Sequence, residues 1–342
     1  MLLPACTFQK SEVKAVCEKN EEGNYLIKWE TFPSIKGMVK IYKSENPEYF
    51  ATTLPILEVP CSEGFTTIPS FGSTRNYFEL VFNKETRTKI SNRAINAENI
   101  INLRDLGGYY NNDNKQVKWG KIYRSGNLTN LKKTDIDLLN TLNIQTVIDL
   151  RTQNQTTERP SLYRAKQYIN LPIRGLDIQS SLQGVLSGRI KKGDAFVWQQ
   201  DLHVALLDLN KDYFKHFFEI LSDSTAYPIL ICCTLGKDVT GIVSALTLEA
   251  LDIGSEQINQ DYILSNSHID FTKLIPHSDT LSIDVQEALT ALLTSQEKTI
   301  IYAKKYIEKK HGSVDNYFEK ELNLSNKKRE KLKDLLLYKE YN

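Results

Sequence analysis

The stretch ILICCTLGKDVTG, from Ile229 to Gly241, decides the fold prediction for this chain. Its first four residues are apolar, as in a short strand that is buried on both faces. Cys233 follows directly, then a turn that contains Gly236 and Lys237, and a helical pattern begins near Thr240. A strand that ends in a cysteine and turns tightly into a helix predicts a phosphate-binding loop.

This loop has a definite chemical consequence for Cys233. Successive backbone N–H groups and the positive end of the helix dipole converge on one spot, which binds an anion and favours a thiolate over a thiol. Thr240 is placed to donate a hydrogen bond to that thiolate. The nucleotide-binding loop GxxxxGK[ST] is excluded, because Ile231 replaces its first glycine and Asp238 replaces its Ser or Thr.

Strands and helices alternate on both sides of the loop. QTVIDL (145–150) and YPILIC (227–232) are short apolar runs, and DIDLLNTL (135–142) has helical spacing. Residues 282–337 are almost wholly helical in pattern. The alternation predicts an α/β domain over residues 96–342, with a central, mostly parallel sheet flanked by helices.

In the preceding region, apolar and polar residues alternate with a period of two. Its segments YLIKWE, MVKIYKS, FTTIP, NYFELVF and RTKISNRAI are separated by turn clusters, which predicts a small all-β sandwich over residues 23–95. Residues 1–22 are polar and predict a tail or linker. With Trp29, Tyr77 and the close at Ser91–Arg93, the sandwich resembles a fibronectin type III or immunoglobulin-like domain. This resemblance implies a protein or glycan contact.

The loop CCTLGKDVTG resembles HCxxGxxR[ST]G of the cysteine-dependent protein-tyrosine and dual-specificity phosphatases, and above all HCTAGKDRTG of a bacterial and fungal branch. The residues that match this branch are Cys233, Thr234, Gly236, Lys237, Asp238, Thr240 and Gly241, and those that depart from it are Cys232, Leu235 and Val239. Further motifs of the branch occur in order: NLRDLGGY (102–109), VKWGKIYRSGNL (117–128), VIDLRT (147–152), DYILSN (261–266) and GSVDNYFEKELNLS (312–325). The similarity covers about residues 96–337 and implies the cysteine-dependent phosphatase fold.

The resemblance implies a two-step hydrolysis without a cofactor. Cys233 attacks phosphorus to form a phosphocysteine, which water then hydrolyses. The substrate is a phosphorylated small molecule or a phosphoprotein, of the phosphotyrosine, phosphoprotein or phosphoinositide type. An acid must protonate the leaving oxygen. Asp238 is the first candidate because it lies beside the nucleophile, and Asp149 is the second, with a salt bridge to Arg151 or Arg104 as its structural alternative.

The other candidate residues bind phosphate or support the loop. Lys237 widens the positive field, and in this branch it is associated with multiply phosphorylated or inositol-type head groups. Asp105 pins the turn at Gly107 and Gly108. The predicted phosphate-binding residues are Thr234, Leu235, Gly236, Lys237, Val239, Thr240 and Gly241. The predicted supporting residues, of which each arginine either approaches the site or pins a strand, are Arg104, Asp105, Arg124, Arg151 and Cys232.

Val239 occupies the position of the family's loop arginine. Two charge-assisted hydrogen bonds from that arginine to phosphoryl oxygens come to roughly 3 to 6 kcal/mol. At about 1.4 kcal/mol per tenfold, their loss predicts a rate lower by about a hundredfold to ten-thousandfold. Cys232 replaces the family's histidine, which removes a polar support and sets two thiols side by side, where oxidation could block the nucleophile.

Three hypotheses about the function therefore stay open. The first is a phosphatase of reduced activity, in which another arginine substitutes. The second is a pseudophosphatase that binds a phosphorylated ligand without turnover, with the β-sandwich adding a second contact. The third is a structural protein that keeps an inherited fold.

The composition of the chain limits the classes of partner and compartment that it can be expected to have. With 43 Lys and Arg against 42 Asp and Glu, the net charge of +1 gives no general attraction to nucleic acid or anionic membranes. No apolar run is long enough to span a bilayer. The five cysteines lack disulfide spacing, and neither they nor the histidines form a zinc pattern. MLLPAC, ending at Cys6, resembles a bacterial lipoprotein signal remnant and suggests an exported or lipid-anchored protein, with a cytoplasmic one as the alternative.

Overall fold

The computed structural model describes residues 11–70, 74–84 and 86–339 and divides into two compact units. The boundary between them lies between Ile95 and Asn96. Among the helices of the described ranges, none is long and apolar enough to cross a membrane. Cys6, on which the predicted lipid anchor rests, lies outside the described residues.

The N-terminal unit is built from antiparallel strands in two sheets. Its described strands are β1 (Glu12–Lys19), β2 (Tyr25–Phe32), β3 (Met38–Ser44), β4 (Leu57–Pro60), β5 (Phe65–Ile68), β6 (Tyr77–Val81) and β7 (Arg87–Ile90), with a 3₁₀ turn at Cys61–Glu63. One sheet has the order β1-β2-β5 and the other β4-β3-β6-β7. Both contribute to one buried core, which includes Trp29, Ile41 and Phe78. The indole Nε1 of Trp29 donates a hydrogen bond of 2.9 Å to the carbonyl of Cys61.

Strand β1 corrects part of the tail or linker predicted over residues 1–22, of which residues 1–10 lie outside the described ranges. Glu12–Lys19 pairs with β2 along its full length. Val13, Ala15 and Cys17 face the core of the unit, while charged residues occupy most of the outward positions. The segment therefore has a polar composition although one face is apolar, and only pairing with the apolar strand β2 makes it a strand.

The C-terminal unit has a five-stranded sheet at its centre. Its strands are β8 (Arg104–Asp105), β9 (Ile122–Ser125), β10 (Thr146–Asp149), β11 (Gln167–Asn170) and β12 (Ile229–Cys232), in the order β11-β10-β12-β9-β8. All neighbours are parallel except β8, which runs antiparallel to β9. The predicted strands at 145–150 and 227–232 are confirmed. Ser125, Asp149 and Cys232 lie in register at the carboxyl ends of three adjacent strands.

Helices account for most of the remaining described residues of this unit. They are α1 (Lys133–Thr141), α2 (Gln153–Glu158), α3 (Ile178–Leu186), α4 (Lys192–Leu209), α5 (Lys211–Leu221), α6 (Asp238–Ala250), α7 (Ser255–Ile263), α8 (Ser265–His268), α9 (Phe271–Leu274), α10 (Ile283–Leu293), α11 (Glu297–His311), α12 (Val314–Asn316) and α13 (Asn326–Leu336). Short 3₁₀ turns lie at Ser224–Ala226 and Ser278–Thr280, and a π-helical turn at Tyr317–Glu321. The strands and helices share one large apolar core, which includes Ile231, Phe217 and Leu246.

The turn after β8 packs against Trp119. Gly108 has a φ of +88°, and a Cβ at this residue would lie 2.1 Å from the indole ring of Trp119. The Asp105 carboxylate accepts hydrogen bonds from the backbone N–H groups of Gly107, at 2.7 Å, and Gly120, at 2.8 Å. The turn thus requires a glycine for both its backbone conformation and its close contact.

We expect Gly108→Ala to lower the free energy of unfolding by about 3 kcal/mol, because the methyl group overlaps a buried ring and the backbone is strained. Urea denaturation followed by tryptophan fluorescence measures the change. Gly193→Ala is the matched control, since a Cβ there meets no heavy atom within 4 Å and alanine favours helix α4. Equal losses in the two variants would contradict this account.

Candidate active site

Cys233 lies between the buried end of β12 and the start of α6. Strand β12 ends at Cys232 and helix α6 begins at Asp238, so residues 233–237 form the connecting loop. The side chain of Cys232 is fully buried, whereas Cys233 retains 6% of its surface. Burial raises the pKa of the Cys232 thiol well above its usual value, so this residue stays a neutral thiol at pH 7. Cys233 is therefore the candidate nucleophile of the pair.

The loop carbonyls are bound by groups outside the loop. Asn127 donates to the carbonyl of Thr234 through its backbone N, at 3.2 Å, and its side chain, at 2.9 Å. The Asn102 amide donates to the carbonyl of Gly236 at 2.9 Å. Arg124 Nη2 donates to the carbonyls of Gly236, at 2.7 Å, and Lys237, at 3.4 Å. The carbonyl oxygens therefore point away from the centre of the loop.

The backbone N–H groups of the same loop are left available. Within the described ranges, those of residues 234–237 donate to no backbone or side-chain acceptor. Gly236 has a φ of +67°, and a Cβ there would lie 2.4 Å from the carbonyl of Ser125. Free N–H groups at the N-terminus of a 13-residue helix form an anion-binding concavity.

Buried charged side chains, Arg104, Arg124 and Asp261, form a network next to the loop. Arg124 Nη1 contacts Asp261 Oδ2 at 2.5 Å, and Arg104 Nε contacts Asp261 Oδ1 at 3.4 Å. Arg104 also donates to the side chains of Asn102 and Ser265 and to the Asp261 carbonyl. The two arginine side chains are fully buried. Their terminal nitrogens are engaged with the scaffold rather than turned into the loop.

Lys237 and Asp238 form an ion pair at the end of the loop. Lys237 Nζ donates to Asp238 Oδ1 at 2.7 Å, and the Tyr262 hydroxyl donates to the same oxygen at 3.2 Å. Asp238 retains 22% of its side-chain surface, while Lys237 retains 2%. Two donors on Oδ1 fix the orientation of the carboxyl group and leave Oδ2 as the oxygen that can carry a proton.

Val239 packs against the apolar core of the unit and is partly buried. It supplies no polar group to the loop. Gly241 lies against Tyr262, whose ring would be 2.9 Å from a Cβ at this position. Thr240 Oγ1 is buried and has no hydrogen-bond partner in the described part of the chain. The hydrogen bond that the sequence predicts from Thr240 to Cys233 is therefore not formed.

Asp149 forms a salt bridge with Arg151, which the sequence analysis gives as the alternative to a role as the acid. Arg151 Nε and Nη2 donate to its carboxylate at 3.0 Å and 2.6 Å, and the Tyr168 hydroxyl donates to it at 2.8 Å. The Arg151 Nη1 donates to the carbonyl of Arg159. Asp149 is fully buried. The carboxyl group of Asp149 therefore serves as the ion-pair partner of Arg151, with three side-chain donors directed at it.

The structure brings together most of the predicted site and adds residues that sequence reasoning missed. The predicted residues 233–237 lie in one loop and Asp238 begins the helix that follows it. Arg104 and Arg124 contact this region from the scaffold, whereas Asp149 and Arg151 form a separate pair. The missed residues are Asn102, Asn127, Asp261, Tyr262 and Ser265. All five lie in motifs quoted in the sequence analysis, NLRDLGGY, VKWGKIYRSGNL and DYILSN, and membership of those motifs was the available signal. In the described ranges, no cluster of three or more His, Cys, Asp or Glu residues is arranged to hold a metal ion.

Comparison with known proteins agrees with this geometry. The model of the tyrosine phosphatase family matches residues 95–338, more than half of the chain. The chain belongs to the tyrosine phosphatase family.

Individual relatives are distant. A provisionally named tyrosine-protein phosphatase of Cupriavidus necator is 26% identical over 228 residues, which span 64% of this chain and 81% of the relative. A tyrosine-protein phosphatase of Nostoc commune is 26% identical over 151 residues, or 43% of this chain and 49% of the relative. The solved core catalytic domain of the PP-IP phosphatase SIW14 from S. cerevisiae, in complex with citrate, is 14% identical over 56% of this chain and 88% of that one. The TM-score of this pair is 0.27.

We expect Asn102→Gly to lower the free energy of unfolding by about 1 to 3 kcal/mol, because buried loop carbonyls lose their donor. Glycine is chosen because Asn102 has a φ of +59°. Asn143→Gly is the matched control, since Asn143 has a φ of +53° but is exposed and distant from the loop contacts described here. Urea denaturation measures both variants, and a loss confined to Asn143→Gly, or equal in both, would refute the assignment.

Proposed function

We propose that this chain is a cysteine-dependent phosphatase that hydrolyses phosphate monoesters slowly. The substrate class is phosphotyrosine, another phosphoprotein or a phosphoinositide-type head group. The observation that carries the proposal is the loop at residues 233–237, whose carbonyls accept hydrogen bonds from outside the loop. The N–H groups of residues 234–237, which follow Cys233, have no acceptor among the described residues. The names of the two relatives, both tyrosine-protein phosphatases, support the same class.

The reaction has two steps. Cys233 Sγ attacks phosphorus while the loop N–H groups bind the non-bridging oxygens. The bond from phosphorus to the ester oxygen breaks, and the leaving oxygen takes a proton from Asp238 Oδ2. Water then attacks the phosphocysteine, which releases inorganic phosphate and regenerates the thiolate. Asp238 accepts the proton of that water, so the acid is restored in the same cycle.

The reduced rate follows from Val239. The family's arginine contributes hydrogen bonds that strengthen as charge develops on the phosphoryl oxygens, worth roughly 3 to 6 kcal/mol together. The three arginines that the sequence offers as substitutes, Arg104, Arg124 and Arg151, already use their terminal nitrogens elsewhere. Transition-state stabilisation is therefore left to the backbone and to Lys237.

A second function is favoured by the same observation. A loop that binds phosphate through its backbone but lacks the arginine is suited to a pseudophosphatase, which holds a phosphorylated ligand without turnover. Ground-state binding survives better than catalysis, because backbone N–H groups contact the phosphate before and during the reaction alike. The N-terminal unit, as a fibronectin type III or immunoglobulin-like module, would add a protein or glycan contact; its two antiparallel sheets around Trp29 support this assignment.

Three proteins distinguish the two functions: wild type, Cys233→Ser and Val239→Arg. We expect wild type to hydrolyse an aryl phosphate measurably, Cys233→Ser to be inactive, and Val239→Arg to raise kcat/KM by about a hundredfold or more. Steady-state hydrolysis of p-nitrophenyl phosphate and a phosphoinositide panel measures this. Equal rates for wild type and Cys233→Ser, together with phosphate binding, would establish the pseudophosphatase instead.

Asp238 and Asp149 are separated by their dependence on the leaving group. We expect Asp238→Asn to lower kcat/KM, which reports the step that forms the phosphocysteine, by about a hundredfold for phenyl phosphate and to leave kcat/KM for 2,4-dinitrophenyl phosphate almost unchanged, because the second leaving group needs no proton. Asp149→Asn, the matched control, should lower stability by disrupting the buried pair with Arg151, without dependence on the leaving group. The opposite pattern would make Asp149 the acid.

A further inference from the structure

Three buried charges do not cancel beneath the loop. Arg104 and Arg124 have fully buried side chains, and both contact Asp261, whose side chain retains 3% of its surface. These three residues, which we call the charge cluster, carry two positive charges and one negative charge. His268 lies nearby, and burial, together with Arg104, lowers the pKa of its imidazole, so it adds no charge at pH 7. The cluster therefore carries one net positive charge.

This excess charge lies directly against the anion-binding loop. Arg124 Nη2 is 2.7 Å from the carbonyl oxygen of Gly236 and would be 3.7 Å from a Cβ at Gly241. The other cation of the loop, Lys237, is balanced by Asp238 at 2.7 Å. The Tyr109 hydroxyl donates to Asp261 without changing the balance. While Asp238 is ionised and pairs with Lys237, the cluster is the source of net positive charge against the loop among the residues named above. Lys237 adds its own charge only when Asp238 carries the catalytic proton.

The cluster keeps its charge under ordinary conditions. Burial and the neighbouring Arg124 lower the pKa of the Arg104 guanidinium to about 10, which still leaves it protonated at pH 7. Both arginines are enclosed, so dissolved ions screen their field less than they screen surface lysines. A phosphate in the loop would feel this field across the backbone of Gly236 and Lys237.

We propose that the charge cluster supplies, by its field, part of the attraction for phosphate at a loop in which Val239 occupies the position of the family's arginine. The inference rests on the proposed function, since it requires that the loop binds a phosphate-like anion. The cluster touches no ligand, and its residues act as positioning and charge-supplying residues. It strengthens ground-state binding of a dianion, whereas the bidentate contact needed in the transition state stays absent.

Asp261→Asn gives the sharpest test, because it raises the net charge of the cluster from one to two while it weakens the scaffold. We expect tungstate, a tetrahedral dianion, to bind about tenfold more tightly in isothermal titration calorimetry at pH 7.5, although the melting temperature falls. A purely structural cluster predicts the opposite, since a loosened loop would bind more weakly. Affinity and stability that fall together would overturn the proposal.

A second pair of variants covers the case in which Asp261→Asn does not fold. Arg104→Lys and Arg104→Met both lose the guanidinium contacts, but only the lysine can keep the charge. We expect the lysine variant to bind tungstate several-fold more tightly than the methionine variant. Asn143→Gly, which changes no charge and lies outside the loop and the charge cluster, should keep the wild-type affinity within about twofold.

The outcomes separate this inference from the proposed function. If wild type binds tungstate and the affinities follow the net charge, the inference holds. If wild type binds tungstate but the variants do not follow the charge, the charge cluster is only structural and the proposed function stands. If wild type neither binds tungstate nor hydrolyses an aryl phosphate, both proposals fail.

Discussion

The hydrogen bonds from Arg124 to the carbonyls of Gly236 and Lys237 are the constraint on which the site depends. A peptide group has its carbonyl and its N–H on opposite sides, so a carbonyl that is held outward directs the N–H of the next residue inward. Asn102 and Asn127 act on neighbouring carbonyls in the same sense. The proposed anion site is thus made of backbone, and its shape is set by side chains that hold the loop carbonyls outward.

This construction separates binding from catalysis. The N–H groups of the loop do not depend on the side chain at position 239, so the proposed anion site does not require the arginine that Val239 replaces. Stabilising the charge that develops in the transition state is a separate requirement, because it needs hydrogen-bond donors at the positions to which the phosphoryl oxygens move. A loss at one residue can therefore lower the rate strongly while it leaves the fold and the affinity for phosphate largely intact.

Burying charged side chains costs free energy of desolvation, and the C-terminal unit offsets this cost with ion pairs and hydrogen bonds. Arg104 and Arg124 share Asp261, and Asn102 and Ser265 satisfy further guanidinium nitrogens. These residues come from segments that are far apart in the chain, so the network joins β8, β9 and the end of α7 to the loop. An isolated arginine in such a place would be strongly destabilising.

The sequence by itself determined the α/β unit, the position of the candidate nucleophile and the absence of the loop arginine, because apolar strands, the helix pattern and the loop residues are local signals. Only the tertiary structure decided that Glu12–Lys19 is a strand, that Asp149 is paired with Arg151, and that Thr240 has no bond to Cys233. It also decided that Arg104 and Arg124 support the loop rather than enter it. The physical reason is that ion pairs and strand pairing join residues far apart in the chain, and local patterns do not specify which partners meet.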